Sequence, residues 1–507
     1  MHLPPRKSRD VKQTGGERGK RTRQSWENRC SERSVYFPED RCEDSEHGAL
    51  GDSTSYIPSR HITDAPRGVT FPLTSFRLSS QQRLFVSIIS NLFVDDLLFI
   101  YLHLNCGFSK NIRSDISDFQ RISAKDLYMY ERIFDIENRL DEGMFLFGAR
   151  QVGKSTLLKK RFPQAVYVDL LNSDLRKRFK QTPSLFKEML IKYPAETLVI
   201  VDEIQKVPEL LDEVHSLMVD HGLYFILSGS SARKIKNSGA NQLGGRAIPE
   251  TLFPLVSAEI TDYDLNRAIQ NGTIPRHYAV KNAKNRIKAY IDLYLKEEIK
   301  EEAAVRNADN FERFMEVAAI SDGEILNYEN IATDCGISAN TVKAYFKILY
   351  DSLIGYEIPA YRKVIKRKLT QAPKFYYFDV GVANYLMHRY QLEPGTPEYG
   401  HAFEHLVMQE IIAYLGYKGD LDQLSYWHAY TGEEVDAVIG DARIAIEMKS
   451  TDDVQRKHTE GLRDFAQEHP NARLILVSRD KITRRHGNID LYYATDFFKA
   501  LWNGEII

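Results

Sequence analysis

A phosphate-binding pattern lies in the middle of the sequence. Residues 148–156, GARQVGKST, have the form G-x-x-x-x-G-K-[ST] and join an apolar run to an apolar helical run. Gly148 and Gly153 permit backbone angles that point successive N–H groups at phosphate oxygens. Lys154 would contact the β- and γ-phosphates, Ser155 would offer its hydroxyl to Mg²⁺, and Thr156 completes the motif. The pattern therefore predicts a site for ATP and Mg²⁺.

Two acidic residues end the next strongly apolar run. Leu198-Val-Ile-Val-Asp202-Glu203 predicts a buried strand with carboxylates at its end. Asp202 would hold the Mg²⁺ shell, and Glu203 would orient and polarise the attacking water. A solvated strand end is the alternative for such a pair alone, but the upstream phosphate-binding pattern favours the catalytic interpretation.

Three further positions could act on the transferred phosphate. A third apolar run, residues 224–228, ends in Ser228, which is the best candidate to sense the γ-phosphate. Arg233 and Arg246 are weaker candidates, because an arginine at a subunit edge can stabilise phosphoryl charge. A plain surface arginine is the alternative at both positions.

A second set of acidic and basic residues lies near the C-terminus. Asp436, Glu447 and Lys449 have the spacing D-x₁₀-E-x-K, and Glu404 precedes them in a predicted helix. Glu447 and Lys449 share one face of their strand because side chains alternate. The three carboxylates would hold Mg²⁺ against a phosphodiester, while Lys449 would steer the attacking water and offset developing negative charge.

The segment between these two sets predicts a winged helix-turn-helix. Amphipathic patterns at 328–335 and 339–349 are separated by Gly336, which permits a turn, and Ser338, which can cap the second helix. If this region binds DNA, four residues of the second helix would face the groove: Asn340, Thr341, Lys343 and Lys347.

Strand-like runs at 355–360 and 374–378 flank the basic segment 362–368, which would form the wing and contact phosphates. The alternative is a module used only for packing, because the second helix offers few cations.

The order of these elements indicates an α/β protein. A strand, the phosphate-binding loop and a helix open a parallel-sheet domain at about residues 123–270. A helical linker with the winged helix follows at 271–375. Residues 376–507 read as αβββαβ, with helices at about 400–411 and 453–467 and strands near 424–428, 433–439, 444–449 and 473–477.

Composition excludes several other classes of protein. The 507 residues carry a formal net charge of −2, so nucleic-acid binding would need a local basic patch. Four cysteines without a CxxC pair argue against a disulfide framework and a structural zinc site, and they suit a reducing cytoplasm.

The first 122 residues read as a disordered extension. They begin with a basic segment and continue without a helical or strand period. The apolar stretch 84–104 contains Asp95 and Asp96, which would be costly inside a bilayer, so we expect no membrane partner. A transmembrane helix and a basic DNA-binding arm are the alternatives, and Met129 or a nearby codon would be the natural start.

Four segments carry a resemblance to a known family. GARQVGKSTLL, LVIVDEIQKVPELL, FILSGSSARKIK and GGRAIPETLFPL resemble the prokaryotic AAA-type ATPases that have a second, poorly characterised C-terminal region. The resemblance continues through the G-x-x-P element at 272–275 and spans about residues 123–505. It implies that Ser228 occupies the family's sensor position. It also implies a homo-oligomer with ATP sites between subunits.

The C-terminal set resembles the PD-(D/E)XK nuclease superfamily, although no proline precedes Asp436. The combined prediction is a cytoplasmic, ATP-hydrolysing protein that acts on DNA through a Mg²⁺-dependent, nuclease-like domain. One alternative is a nucleotide-switched DNA- or protein-binding regulator with a catalytically silent nuclease fold. Another is an ATPase whose partner is a protein.

Overall fold

The computed structural model describes residues 130–140, 143–231, 246–295, 308–361, 372–429 and 432–507. These residues all lie in one compact unit, Cys106–Ile507. The predicted extension at 1–122 with its apolar stretch, Arg233 and the basic segment 362–368 fall outside the described residues. No helix within the described ranges is long and apolar enough to span a membrane.

A five-stranded parallel sheet forms the first part of the fold. Its strands are β1 (Gly143–Phe147), β2 (Val166–Asp169), β3 (Leu198–Asp202), β4 (Tyr224–Gly229) and β5 (Ala247–Thr251). The connecting helices are α1 (Lys154–Arg161), α2 (Ser173–Gln181), α3 (Ser184–Leu190) and α4 (Leu210–His221). The central strands are buried on both faces, which explains their nearly continuous apolar sequences.

The order of the strands brings the predicted motifs together. The sheet runs β2-β3-β4-β1-β5, with every pairing parallel. The loop after β1, the acidic pair at the end of β3 and Ser228 near the end of β4 therefore lie along one edge. Strand β4 lies between the strands that carry the other two motifs, which is where the sequence placed the sensing residue.

A helical region follows the sheet. It contains α5 (Leu265–Asn271), α6 (Pro275–Tyr278), α7 (Lys284–Tyr290) with a π-helical turn (Ile291–Leu295), α8 (Ala308–Ile320), α9 (Tyr328–Cys335) and α10 (Ala339–Asp351). Gly336 ends α9 with φ +67°, and the Ser338 side chain caps α10 by accepting from the Thr341 backbone N–H (3.2 Å). Both predicted helices and the predicted cap are confirmed.

Two strands after α10, β6 (Gly355–Ile358) and β7 (Lys374–Tyr377), pair antiparallel, as predicted for the base of a hairpin. The observed strands end earlier than predicted, at Ile358 instead of residue 360 and at Tyr377 instead of residue 378.

The C-terminal region is a six-stranded sheet with helices on it. The helices are α11 (Val380–Leu386), α12 (Pro397–Lys418), α13 (Glu460–Glu468) and α14 (Ala494–Trp502). The strands are β8 (Leu424–His428), β9 (Glu434–Ile439), β10 (Ile444–Lys449), β11 (Arg473–Ser478), β12 (Arg484–His486) and β13 (Ile489–Tyr493). The sheet order is β12-β13-β11-β10-β9-β8.

The predicted αβββαβ order is present from α12 to β11, with two differences. The helix expected from about residue 453 begins at Glu460, after a 3₁₀ turn at Arg456–Thr459. Strands β12 and β13 and helix α14 were not predicted. Strand β12 consists of three polar residues, so it has no strand pattern in the sequence.

The largest hydrophobic cluster spans all the regions, and each of the two sheets has a smaller cluster of its own on its other side-chain set. A single cluster of buried side chains runs from Leu146 in β1 through Phe346 in α10 to Leu406 in α12 and Ile475 in β11. Fifteen of the 22 residues of α12 are buried, so this helix is enclosed on nearly all sides. It therefore packs against both the C-terminal sheet and the loops of the first sheet.

Candidate functional site

The loop between β1 and α1 has a backbone that only glycine accommodates easily. Gly148 has φ +153° and Gly153 has φ +104°, and a Cβ on Gly148 would lie 2.4 Å from the carbonyl oxygen of Leu252. Helix α1 begins at Lys154, so its free N–H groups and the positive end of its dipole face the loop. Such an arrangement attracts phosphate.

The side chain of Lys154 lies inside this loop. It is 5% exposed, and its Nζ donates to the carbonyl oxygens of Gly148 (2.7 Å) and Ala149 (3.1 Å). Burying an ammonium group is costly unless it is well satisfied, and a phosphate is a stronger acceptor than a neutral carbonyl. The loop thus holds a cation that an anionic ligand can recruit.

Asp202 is the centre of a small hydrogen-bond network at the sheet edge. Its Oδ2 accepts from the hydroxyls of Ser155 (2.6 Å) and Tyr167, and its Oδ1 accepts from Ser228. Burial, and next the charge of Asp202, raise the pKa of the Tyr167 hydroxyl. The predicted metal-holding pair, Ser155 and Asp202, is therefore in contact. Tyr167 was missed because it lies between the two motifs and belongs to neither.

Glu203 has a left-handed backbone, with φ +62°. A non-glycine residue in this region is strained and often belongs to a functional site. Its carboxylate accepts from the side-chain amide of Gln205, which also donates to the Ser230 hydroxyl at 2.9 Å. The side chain is 9% exposed and belongs to the wall of the cavity over the loop. Glu203 is thus held beside the loop, as its predicted role requires.

A cavity of about 480 Å³ opens over the loop, within the usual size range for small-molecule sites. Gln151, Lys154, Ser155 and Thr156 line its floor. Its other walls come from Pro275 and from residues to which the sequence assigned no role: Tyr130, Arg132, Lys160, Arg161, Leu255 and Arg276. Pro275 belongs to the G-x-x-P element, so that element closes one side of the cavity.

The second predicted set lies on the C-terminal sheet. Strands β9 and β10 are antiparallel with Ile446 opposite Ala437, so Asp436 and Glu447 lie side by side. Both are nearly buried, at 4% and 5% exposure. The Lys449 Nζ lies 2.6 Å from Glu447 Oε1. The sequence prediction that these three residues share a site is therefore matched by the strand register.

A second lysine completes the charge balance there. The Nζ of Lys374, in β7, lies 3.8 Å from Asp436 Oδ1 and 3.6 Å from Glu434 Oε2. It is buried, and although burial lowers its pKa, the charges of Asp436 and Glu434 raise it overall. Lys374 was missed because its sequence position assigned it to the winged-helix region.

The carboxyl groups of this site are strongly perturbed. Burial, and next the charge of Asp436, raise the pKa of Glu404 to about 8 and that of Glu447 well above its usual range. For Lys449, burial lowers the pKa but Asp436 and Glu447 outweigh it and raise it overall. Buried carboxylates that repel one another while two lysines oppose them are typical of functional sites.

The side chains are nevertheless not arranged as a metal cage. No group of three or more His, Cys, Asp or Glu residues in the described ranges is disposed to hold a metal ion. Glu447 is paired with Lys449, and Asp436 Oδ2 accepts from the Met448 backbone N–H at 2.8 Å. The metal-holding roles of Glu404, Asp436 and Glu447 therefore stay predictions.

Comparison with known families identifies the first region. Residues 141–261 match the family described as AAA domain, and they contain the whole phosphate-binding loop and the Asp202–Glu203 pair. The match supports an AAA-type P-loop ATPase domain in this region. Residues 262–393 and 399–497 match two further families, each described as a domain of unknown function (DUF8612 and DUF4143).

The similarity to whole proteins covers more residues than the match to the AAA domain. Uncharacterized proteins of Mycobacterium bovis (Mb2031c) and Mycobacterium tuberculosis (Rv2008c) are each 22% identical over 308 residues, which is 58% of this chain and 67% of theirs. The Walker-type ATPase PABY2304 of Pyrococcus abyssi is 17% identical with a TM-score of 0.35, over 50% of this chain and 96% of that one. The Aeropyrum pernix ORC1 protein, solved in complex with DNA, is 11% identical with a TM-score of 0.22, over 49% and 86%.

Arg246 lies away from the phosphate-binding loop of its own ATPase domain. It directly precedes β5, whose first residue, Ala247, pairs with Gly143 at the start of β1, whereas the loop follows the other end of β1. Five residues of strand separate the two ends, or roughly 16 Å. Arg246 is exposed beside an edge strand, so it cannot serve the loop of its own chain.

The second helix of the helix-turn-helix presents a mixed surface. Asn340, Lys343 and Lys347 are exposed, while Thr341 is half-buried with its hydroxyl 2.8 Å from that of Ser338. Lys347 pairs with Asp351 on its own helix (3.2 Å), and the Lys343 ammonium lies 5.1 Å from the centre of the Tyr328 ring. Exposed pairs of this kind are weak, so both cations can turn to an anionic partner.

Proposed function

We propose that this chain binds and hydrolyses ATP with Mg²⁺ and couples that cycle to a C-terminal region that acts on DNA. The ATP part is supported above all by the contact between Ser155 and Asp202, which come from different motifs. The AAA-domain match over residues 141–261 agrees with it.

Each residue of the ATP site has a role that its position supports. Lys154 would exchange its carbonyl partners for phosphate oxygens, and the N–H groups from Gly148 to Thr156 would cradle the same oxygens. Ser155 and Asp202 would hold Mg²⁺, which offsets charge on the phosphates. Glu203 would orient the attacking water and accept its proton, and Ser228 would position Asp202 and sense the γ-phosphate.

The test of ATP hydrolysis compares Lys154→Ala with Lys180→Ala, an exposed lysine on α2. We expect phosphate release from ATP to fall to background in the first variant and to stay at the wild-type rate in the second. Equal turnover by wild type and Lys154→Ala would remove the assignment.

For the C-terminal region we propose a Mg²⁺-dependent nuclease-like site formed by Glu404, Asp436, Glu447 and Lys449. The adjacent carboxylates on β9 and β10, opposed by lysines, support it. Mg²⁺ would draw the carboxylates together and offset the repulsion that raises their pKa values. The winged helix at 308–377 would bring DNA to this site.

Cleavage is tested with plasmid and branched DNA in Mg²⁺ or Mn²⁺, with and without ATP. Wild type is compared with Lys449→Ala and with Lys457→Ala, an exposed lysine outside the site. We expect cutting by wild type and Lys457→Ala only. Equal cutting by all three proteins would mean that the activity comes from elsewhere.

One observation favours a second candidate, a nucleotide-switched regulator with a silent nuclease fold. Glu447 Oε1 pairs with Lys449, Asp436 Oδ1 lies near Lys374 and its Oδ2 accepts from a backbone N–H, and within the described ranges these carboxylates do not form a metal cage. In that case DNA would shift in a binding assay without strand scission in any metal. A stable protein partner in the absence of DNA binding would instead point to an ATPase that acts on a protein.

We also infer a homo-oligomer in which Arg246 of one subunit reaches the ATP site of the next. Its exposed position beside the edge strand β5, remote from its own loop, supports this role. In light scattering with ATP, we expect an assembly larger than the monomer, and Arg246→Ala should lower turnover without lowering ATP affinity. A monomeric wild type together with unchanged turnover in Arg246→Ala would exclude both the oligomer and this role of Arg246.

A further inference from the structure

Arg132 contacts the phosphate-binding loop and joins it to the rest of the molecule. Its Nη1 donates to the carbonyl oxygen of Val152 (2.6 Å), which belongs to the loop, and its Nη2 to the carbonyl oxygen of Phe253 (2.7 Å). Its Nε forms a 2.8 Å ion pair with Glu259, and Nη2 also contacts the Tyr417 hydroxyl (3.1 Å). Arg132 is 7% exposed, so one buried group holds three separate segments: the loop, residues 253–259 and the end of α12.

The bond to Val152 controls the direction of a phosphate-binding N–H. A peptide unit is planar and trans, so the carbonyl of Val152 and the N–H of Gly153 point in opposite directions. Arg132 holds this carbonyl, so the bond fixes the direction in which the Gly153 N–H points. Gly153 has little conformational preference of its own, so this orientation depends on an external anchor.

The position of Arg132 is in turn fixed by other buried groups. The Glu259 carboxylate pairs with its Nε and also accepts from the Ile133 backbone N–H at 2.9 Å. Five N–H donors in a rigid plane make arginine well suited to such a multiple contact. Loss of one partner would therefore loosen the group without releasing it.

Tyr417 brings the C-terminal region into this arrangement. It lies near the end of α12, its ring packs edge-on against Phe253 (5.2 Å between centroids), and its hydroxyl also accepts from the Phe253 backbone N–H (3.3 Å). Next to it, a Cβ on Gly416 would lie 2.3 Å from the Phe253 ring. The end of α12 is thus closely packed against the ATPase domain, and the same helix carries Glu404.

We propose that Arg132 is a positioning residue for the phosphate-binding loop and that Tyr417 makes the affinity for ATP depend on the docking of α12. This inference rests on the proposed ATP-binding function. The chain Val152–Arg132–Tyr417 is a direct route from the phosphates to the helix that bears a residue of the nuclease-like site. Coupling between two sites is reciprocal. If docking of α12 increases the affinity for ATP by some factor, bound ATP must therefore favour the docked helix by the same factor.

The first test removes only the hydroxyl of Tyr417. Tyr417→Phe is compared with Tyr414→Phe, one turn earlier on α12, whose ring packs on Trp502 (5.3 Å). Loss of one buried hydrogen bond predicts an ATP KM or Kd about three- to ten-fold higher in Tyr417→Phe, with kcat little changed. Tyr414→Phe should bind ATP as wild type does.

The second test measures the reverse direction by hydrogen exchange of residues 414–418, with and without ATP. ATP should slow exchange at the end of α12 in wild type and in Tyr414→Phe, and have a smaller effect in Tyr417→Phe. An Arg132→Lys variant keeps the charge but loses the planar contact, so it should raise KM more than Tyr417→Phe does. The two changes should be non-additive when combined.

The outcomes separate this inference from the proposed function. Absence of ATP binding by wild type would remove the proposed function itself. If wild type binds ATP and the two tyrosine variants match each other, whether unchanged or equally weakened, the inference is overturned. A melting temperature in Tyr417→Phe close to that of Tyr414→Phe shows that a change in KM is not the result of general destabilisation.

Discussion

Gly272 and the carboxylate of Asp379 are packed so closely that a Cβ on Gly272 would lie 2.1 Å from Oδ1. The buried carboxylate accepts from the backbone N–H groups of Thr273 (2.7 Å) and Ile274 (3.2 Å). Burial raises the pKa of Asp379, while these donors lower it. The contact fixes the G-x-x-P element, and hence the Pro275 wall of the ATP cavity, to the beginning of α11.

We therefore expect Gly272→Ala to destabilise the protein strongly. Steric overlap in a closely packed site typically costs about 1–3 kcal/mol, and the backbone at φ +72° and ψ −175°, which almost only glycine adopts, adds about 1–3 kcal/mol. The free energy of unfolding is measured with urea. Gly419→Ala is the control, because Gly419 has φ +78° but a Cβ there would meet no atom of the described residues within 4 Å, so it should lose only the backbone contribution. Equal losses in both variants would contradict a packing role for Gly272.

Protonation of His277 should destabilise the fold in mild acid. Burial, and next the charge of Arg286, lower the pKa of His277 to about 3, and its ring nitrogens have no hydrogen-bond partner in the described part of the chain. The unfolded chain takes up this proton near pH 6.5. The stability that the neutral ring provides is therefore present above that pH and is lost as the pH falls, by about 2 kcal/mol between pH 7 and pH 5.

The measurement is the urea midpoint as a function of pH for wild type and His277→Phe. The variant should show a flatter dependence between pH 7 and pH 5, while His486→Gln, at an exposed position, should keep the wild-type slope. A wild-type slope in His277→Phe would show that other groups dominate the acid sensitivity.

Neutralising Glu404 should stabilise the protein while removing any nuclease activity. With its pKa raised to about 8, the folded state resists ionisation of this group. The protonated Glu404 side chain therefore contributes stability to the folded state. This contribution is fully present below about pH 4.5 and is lost as the pH rises toward 8. Glu404→Gln removes this cost, so its unfolding midpoint in urea at pH 8 should exceed that of wild type. Functional sites often show this exchange of stability for activity.

The control for Glu404→Gln is Glu398→Gln, an exposed glutamate at the start of the same helix. It should change neither stability nor cleavage. A loss of stability in Glu404→Gln at pH 8 would mean that the carboxylate is held by its lysine neighbours as a structural ion pair.

Ser228 should affect turnover more than binding. Its hydroxyl donates to Asp202 Oδ1, whereas the loop residue Ser155 donates to Oδ2 of the same carboxylate. Ser228→Ala should lower kcat on the order of ten-fold with KM nearly unchanged, because it disturbs a carboxylate that acts on the metal in the transition state. Ser216→Ala serves as the control, because this half-buried serine of α4 bonds Lys187 and Asp220 and not Asp202. A change confined to KM would place Ser228 among the binding residues.

Much of the ATP site could be predicted from sequence because its residues are local in the chain. A strand that ends in GARQVGKST fixes its own loop backbone, and in a parallel sheet the ends of β1, β3 and β4 must meet at one edge. Asp436, Glu447 and Lys449 were likewise predictable, because side-chain alternation and a short turn between β9 and β10 place them together. In each case the distance along the chain is short or the sheet geometry is fixed.

The rest could not be predicted, because it depends on how separate segments pack. Lys374 was assigned to a wing strand, yet it faces Asp436 across the fold. Strands β12 and β13 were missed, since β12 is a short edge strand with little apolar content. Arg246 carried no indication in sequence of which end of the sheet it occupies, and strand pairing decided that.

The sequence by itself determined the chemistry of the two sites, since residue types and spacing set which groups can hold phosphate or oppose one another on a strand. Only the tertiary structure decided that the sites are physically connected. Arg132 and Tyr417 are 285 residues apart, and nothing in local sequence relates them. Their contact exists because α12 is buried on nearly all sides, which brings its last turn against Arg132 beside the phosphate-binding loop.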